Sequence, residues 1–169
     1  MLFRSAASTI PYKFQPGGPC YELSYSLVAI TEYLQNLAQH HWGTATGATP
    51  ADQLSQAFAL IEAHEAQLAE RLLSFLNSRS GVRVIGSTSA DGSQRVPTLS
   101  FVVDGLGSDQ IPPYLDSQRI GLRSGHFYAP RLIEALGLLA HQGVVRVSMV
   151  HYNTLEECDR LIDHLSPIL

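Results

Sequence analysis

The chain has 169 residues, of which 45% are hydrophobic and 15% charged, and a net charge of −4. That is a one-domain length with ample apolar side chains for a core, and the composition excludes a disordered chain. It carries no basic run and no apolar run near the roughly 20 residues of a membrane span, so neither nucleic acid nor membrane is an expected partner.

Residues 1–19 show no periodicity, and Gln15-Pro-Gly-Gly-Pro19 reads as a loop. Leu23, Leu27, Ile30, Leu34 and Leu37 step by four and three, which predicts a helix over 21–39. Gly43 to Thr49 breaks it. Thr49 as N-cap, Pro50 at the first helical position and Asp52 at the third then predict a second helix. Its stripe of Leu54, Phe58, Ile61, Leu68, Leu72 and Phe75 runs to about residue 77, giving a length of about 40 Å. A helix of that length spans a junction between domains or lies across one sheet.

The pattern then changes. Val82–Ile85 reads as a strand, Ser87–Arg95 as a polar loop with a turn at Asp91-Gly92, and Val96–Asp104 as a strand with Pro97 near its start. Ser108–Ser117 reads as a short helix interrupted at Pro112-Pro113, Ile120–Arg123 as a strand, and Pro130–Leu139 as a helix. Val144–Tyr152 is a strand, and Thr154-Leu-Glu-Glu157 has the spacing of a capping box opening a helix to Leu165. The expected fold is α/β: a two-layer α+β arrangement with a small mixed or antiparallel sheet and helices on one side. The expected organisation is a loop and helix over 1–48, a connecting helix over 49–79, and a small α/β domain over 80–169.

The residues with chemistry cluster late in the chain. Alternation puts Val145, Val147 and Met149 on one face of their strand and Arg146 and Ser148 on the other. A guanidinium on a rigid strand suits bidentate capture of a carboxylate, although arginines on solvated sheet faces are common. Arg123 shares a non-core face with Gly121 in the same way, and the two arginines together would make one anion site. The loop Arg123-Ser-Gly-His-Phe-Tyr-Ala-Pro130 adds His126 and Tyr128 as acid–base candidates. Cys20 and Cys158 form neither a disulfide framework nor a metal-ligand spacing, and no His-Glu-x-x-His, nucleophile elbow or phosphate-binding loop occurs, so no metal is expected. The N-terminal segment has no apolar core of signal-peptide length, and a cytoplasmic location is expected.

This pair of segments resembles the C-terminal part of class V aminotransferases, the cysteine desulfurase-like enzymes of fold type I that use pyridoxal phosphate (PLP). Such enzymes have an Arg-x-Gly-His-His-Cys-Ala-x-Pro-like loop, a helix, then an Arg-x-Ser strand ending in Tyr-Asn-Thr-x-Glu-Glu. The chain matches at Arg123, Gly125, His126, Ala129, Arg146, Ser148, Tyr152, Asn153, Thr154, Glu156 and Glu157. The resemblance covers most of 96–166 and, more weakly, 13–34. It implies that Arg146 binds the carboxylate of an amino-acid substrate and that PLP is the cofactor.

Three departures accompany it. Tyr128 stands where desulfurases carry the persulfide-forming cysteine, and a phenol does not accept sulfur as a thiolate does. Gly18 stands where the family often has a threonine reaching the PLP phosphate of a partner subunit, which leaves the backbone of Gly17 and Gly18 as the phosphate candidates. The lysine that forms the family's Schiff base lies upstream of this segment, and the single lysine here, Lys13, does not match it.

Two expectations follow. The chain is the C-terminal portion of such an enzyme, inactive alone and needing an N-terminal PLP domain or a full-length homologue; or it is a standalone, non-catalytic α/β binding domain derived from that fold. Tyr21, Tyr25, Val28, Ala29 and Tyr33, which lie off the leucine stripe of the first helix, favour a missing neighbour and self-association into a homo-oligomer.

Overall fold

The computed structural model describes residues 9–10, 17–43 and 48–169. Lys13 and the start of the Gln15–Pro19 loop lie outside the described residues. The chain divides into two compact units, Met1–Phe58 and Ala59–Leu169.

In the first unit, helix α1 spans Tyr21–Trp42, three residues beyond the expected end. It stops at Gly43, whose φ of 71° suits glycine and whose N–H donates to the Gln39 carbonyl. The leucine stripe of this helix does not make a core. Leu23, Leu27 and Ile30 are 69%, 61% and 55% exposed. Spacing decides which residues share a face; it does not supply an element to cover that face. Helix α2 (Pro50–Asn77) starts as its sequence predicts. The Thr49 hydroxyl accepts from the Asp52 N–H at 3.2 Å, and the Asp52 carboxylate accepts from the Thr49 N–H at 2.9 Å. The Thr49 hydroxyl also donates to the Asp52 carboxylate at 2.7 Å; this bond first, and the one from the Thr49 N–H, hold the Asp52 carboxyl below its ordinary pKa.

The second unit is built on one antiparallel sheet. Its strands are β1 (Val82–Ile85), β2 (Thr98–Val103), β3 (Arg123–Gly125) and β4 (Val144–Ser148), in the order β1-β2-β4-β3. Leu99 lies opposite Val147, Phe101 opposite Val145, and Val103 opposite Val82, so these side chains share one face. Against it pack Leu68, Leu72, Leu73 and Leu76 of α2, Ile111 and Leu115 of α3 (Ile111–Ser117), and Cys158, Leu161 and Leu165 of α5 (Leu155–Leu165). Each fully buried leucine or phenylalanine contributes about 1.5–3 kcal/mol, so this face carries most of the hydrophobic stabilisation.

The opposite face is not bare, as helices on one side alone would leave it. Val102 and Val144 form a second, smaller cluster with Ile133 and Leu138, joined by Ile85 and Phe127. Ile133 belongs to α4 (Pro130–Ala135), which is shorter than its expected Pro130–Leu139. Gly137, at φ 69°, reverses the chain, and the Leu138 N–H donates to the Ile133 carbonyl at 2.9 Å. That reversal turns Leu138 into the cluster.

Other boundaries move for local reasons. Pro112 and Pro113 occupy the first turn of α3 instead of interrupting it, because proline lacks an N–H that the first turn does not use. The expected strand at Ile120–Arg123 begins only at Arg123. Before it, Arg119 takes φ 58° and the Ile120 N–H caps the Leu115 carbonyl at 3.0 Å, so Ile120 and Leu122 are core anchors rather than ladder residues. Strand β4 ends at Ser148, short of Tyr152. The Met149 N–H goes to the Pro97 carbonyl, and the Val150 N–H goes to Asn153 Oδ1 at 2.9 Å. No helix among the described residues is long and apolar enough to cross a membrane.

Candidate functional site

The register of the sheet sets the site. Ser100, Arg146 and Arg123 are direct partners across β2, β4 and β3, so they form one row on the second face. Thr98 and Ser148 form the next row. This face is therefore split: an apolar half under Ile133 and Leu138, and a polar half holding both arginines. The two strands that sequence alone left unconnected are neighbours, and Arg123 and Arg146 lie side by side.

The two arginines differ in setting. The Arg146 guanidinium carbon lies 4.0 Å from the centroid of the Phe127 ring. Its Nε is sealed from solvent and has no hydrogen-bond partner among the described residues. No carboxylate pairs with it among the described residues. Arg123 is exposed and borders a cleft lined also by Asp109 and Asp116, whose charges oppose binding of an anion there. Of the two, Arg146 is the more enclosed.

The loop between β3 and α4 is tightly specified. Phe127 and Tyr128 have φ of 47° and 62°, a left-handed conformation costing about 1–2 kcal/mol for each L-residue. The Tyr128 N–H donates to His126 Nδ1 at 3.1 Å, and the Ala129 N–H donates to the His126 carbonyl at 2.8 Å. With Nδ1 accepting, a neutral His126 ring carries its proton on Nε2. The strain turns Phe127 inward onto the second cluster and leaves Tyr128 99% exposed, its phenol without a hydrogen bond among the described residues. Phe127 has no acid–base chemistry, so no chemical motif in the sequence singles it out. Its signal is positional, as the apolar residue in the strained loop beside an arginine strand.

At the start of β4, Gly143 has φ 89°, and a Cβ there would lie 2.4 Å from the Gly125 carbonyl carbon and oxygen. Only glycine allows β3 and the turn into β4 to approach this closely. At the far end of the strand, Asn153, Thr154 and Glu157 are structural. The Thr154 hydroxyl accepts from the Glu157 N–H, while the Glu157 carboxylate accepts from Thr154 N–H and Asn153 Nδ2 at 3.1 and 3.0 Å. These bonds, the one from Asn153 foremost, hold the Glu157 carboxyl below its ordinary pKa. His64 Nε2 contacts the Asn153 carbonyl at 2.7 Å, which ties α2 to this turn.

The remaining candidates are quiet. Burial pushes the Cys158 thiol up to about 11, so it is no nucleophile. Gly17 and Gly18 are exposed in the first unit, and a Cβ at either would meet nothing within 4 Å, so no crowded cradle requires glycine there. No cluster of metal-ligating side chains occurs among the described residues.

Residues 43–161 match the family model described as aminotransferase class-V. The chain belongs to that family. It is 35% identical over 158 residues to the aminotransferase-like protein FGM3 of Gibberella zeae, which covers 93% of this chain and 35% of that protein. A probable cysteine desulfurase of Pseudomonas putida is 32% identical over 155 residues, covering 92% of this chain and 32% of the relative. Among solved structures, the apo structure of a cysteine desulfurase from Thermococcus onnurineus NA1 aligns with a TM-score of 0.58 and 27% identity, covering 70% of this chain and 29% of that one. The chain thus spans about a third of the length of these relatives.

The family is PLP-dependent. Holding PLP takes a Schiff-base lysine and donors for the phosphate and ring. Among the described residues there is no lysine, and the open backbone at Gly17 and Gly18 forms no closed cradle. These residues do not by themselves fit the cofactor. What they do supply is a held arginine on a rigid strand.

Proposed function

We propose that this chain is the C-terminal, substrate-side portion of a class V aminotransferase-type enzyme, and that Arg146 takes the carboxylate of an amino-acid substrate. The observation that carries this is Arg146 itself: a guanidinium on a central strand of the sheet, in register with Ser100 and Arg123, with no carboxylate partner among the described residues. A fixed guanidinium binds a planar carboxylate through paired hydrogen bonds. Arg123 adds positive potential at the edge of the site without closing on the ligand. Tyr128 does not serve as a sulfur acceptor, and His126 donates from Nε2 at the mouth of the loop.

The cofactor is held elsewhere, by a PLP-bearing domain or a full-length homologue, and the chain alone does not catalyse. The exposed apolar residues of α1, with Tyr25 at 77% and Tyr21 at 74% exposure, support coverage by such a neighbour or by a second copy. The free thiols of Cys20 and Cys158 suit a reducing compartment such as the cytoplasm.

The test is a titration of the full chain with L-alanine followed by amide NMR, beside Arg146→Ala. Shifts should centre on β4 and the β3–α4 loop in the wild type and disappear in the variant, whose fold is unchanged. Equal binding by both proteins would remove Arg146 from the site.

A further inference from the structure

Arginine offers a carboxylate two edges. One uses Nε with an Nη atom; the other uses both Nη atoms. In Arg146 the first edge is closed, because Nε is sealed from solvent and has no partner among the described residues. An arginine that packs its Nε away without a hydrogen bond needs compensation, and a desolvated cation finds it on an aromatic face. The Phe127 ring lies over the guanidinium at 4.0 Å. Phe127 reaches that place through a left-handed backbone at φ 47°, followed by Tyr128 at φ 62°, in a loop fixed by the hydrogen bonds of His126. Its ring also packs on the second apolar cluster, so it cannot swing away freely. No hydrogen bond consumes either Nη atom among the described residues.

We infer that Phe127 is a positioning residue for the carboxylate site: its ring pins the Arg146 guanidinium with Nε turned inward, so that a carboxylate is taken end-on by the two Nη groups alone. This rests on the carboxylate assignment above. It adds a residue that touches no ligand and a direction of approach. The strained loop has a purpose in this arrangement, since holding the ring over the cation offsets the left-handed backbone.

The experiment uses the full chain with nitrogen-15 arginine and acetate as the probe. The Arg146 Nε–H signal, identified by its loss in Arg146→Ala, should lie upfield from the ring current of Phe127 and exchange slowly with water. Acetate should perturb the Nη signals and leave Nε–H slow. Phe127→Leu keeps apolar bulk for the cluster but removes the ring; it should lose the upfield shift and bind acetate about three- to tenfold more weakly. Phe127→Tyr keeps the ring and should restore both.

A wild-type Arg146 Nε–H that exchanges as fast as an exposed arginine overturns the inference, whatever Phe127→Leu does. If Arg146→Ala abolishes acetate binding while Phe127→Leu binds as the wild type does, the positioning role alone fails. If Arg146→Ala binds as the wild type does, the carboxylate assignment fails and the positioning role falls with it.

Discussion

The two faces of the sheet use the same four strands for different ends. On one, Leu99, Phe101, Val145 and Val147 meet three helices and are closed to water. On the other, a short apolar patch under Ile133 and Leu138 gives way to a row of Ser100, Arg146 and Arg123. The first face makes the strands rigid. The second uses that rigidity to hold a cation, with Phe127 at the boundary between its halves. The lesson is that an arginine in a strand is placed by the packing behind it and aimed by what lies beside it.

The largest expected effect belongs to the packed face. Phe101→Ala should destabilise the chain by about 4 kcal/mol in urea unfolding, and Ile133→Ala, on the smaller cluster, by about 2 kcal/mol. Equal losses would mean that the two clusters share the load and that the second face is a core in its own right. Next comes the joint between β3 and β4. Gly143→Ala should cost about 3 kcal/mol or more, because its Cβ meets backbone rather than a flexible side chain and the φ of 89° disfavours alanine. The same variant should disturb NMR signals at Gly125 and Arg123. If unfolding is unchanged, the close approach of the two strands is not fixed by glycine.

The smallest effect is at the cap of α5. Thr154→Ala should cost about 1 kcal/mol at neutral pH. Glu157 adds a pH dependence whose sign is fixed. Its carboxyl is lowered by the bonds from Asn153 and Thr154, so its contribution is complete above the ordinary glutamate value of about 4.3 and is lost as pH falls through the lowered value. Glu157→Gln should flatten that part of the acid profile in a thermal melt series. An unaltered profile would place the acid sensitivity at other carboxylates, such as Asp52 and Asp91, both also lowered by hydrogen bonds.

Much of this was legible in the sequence where a signal is local. The Thr49 and Thr154 caps, the β1 strand and the outward face of Arg146 follow from spacing and from residue chemistry within a turn or a strand. What depends on distant parts of the chain was not. The same step of four and three runs through α1 and α2, yet Leu68 and Leu72 are buried while Leu23 and Leu27 are exposed. The pairing of Arg123 with Arg146 needs the strand order, which no short motif encodes. Phe127 was invisible for a further reason: its role comes from a left-handed backbone that sequence gives to glycine or asparagine by default.

The proposal is that this chain carries a substrate-side arginine and leaves the anchoring of PLP to another segment. The most direct test is an absorbance titration of the full chain with PLP near 420 nm (roughly where a protonated internal aldimine absorbs), followed by borohydride trapping and mass mapping. No stoichiometric adduct is expected. A stoichiometric adduct on Lys13 would contradict the claim and make the chain a PLP protein in its own right.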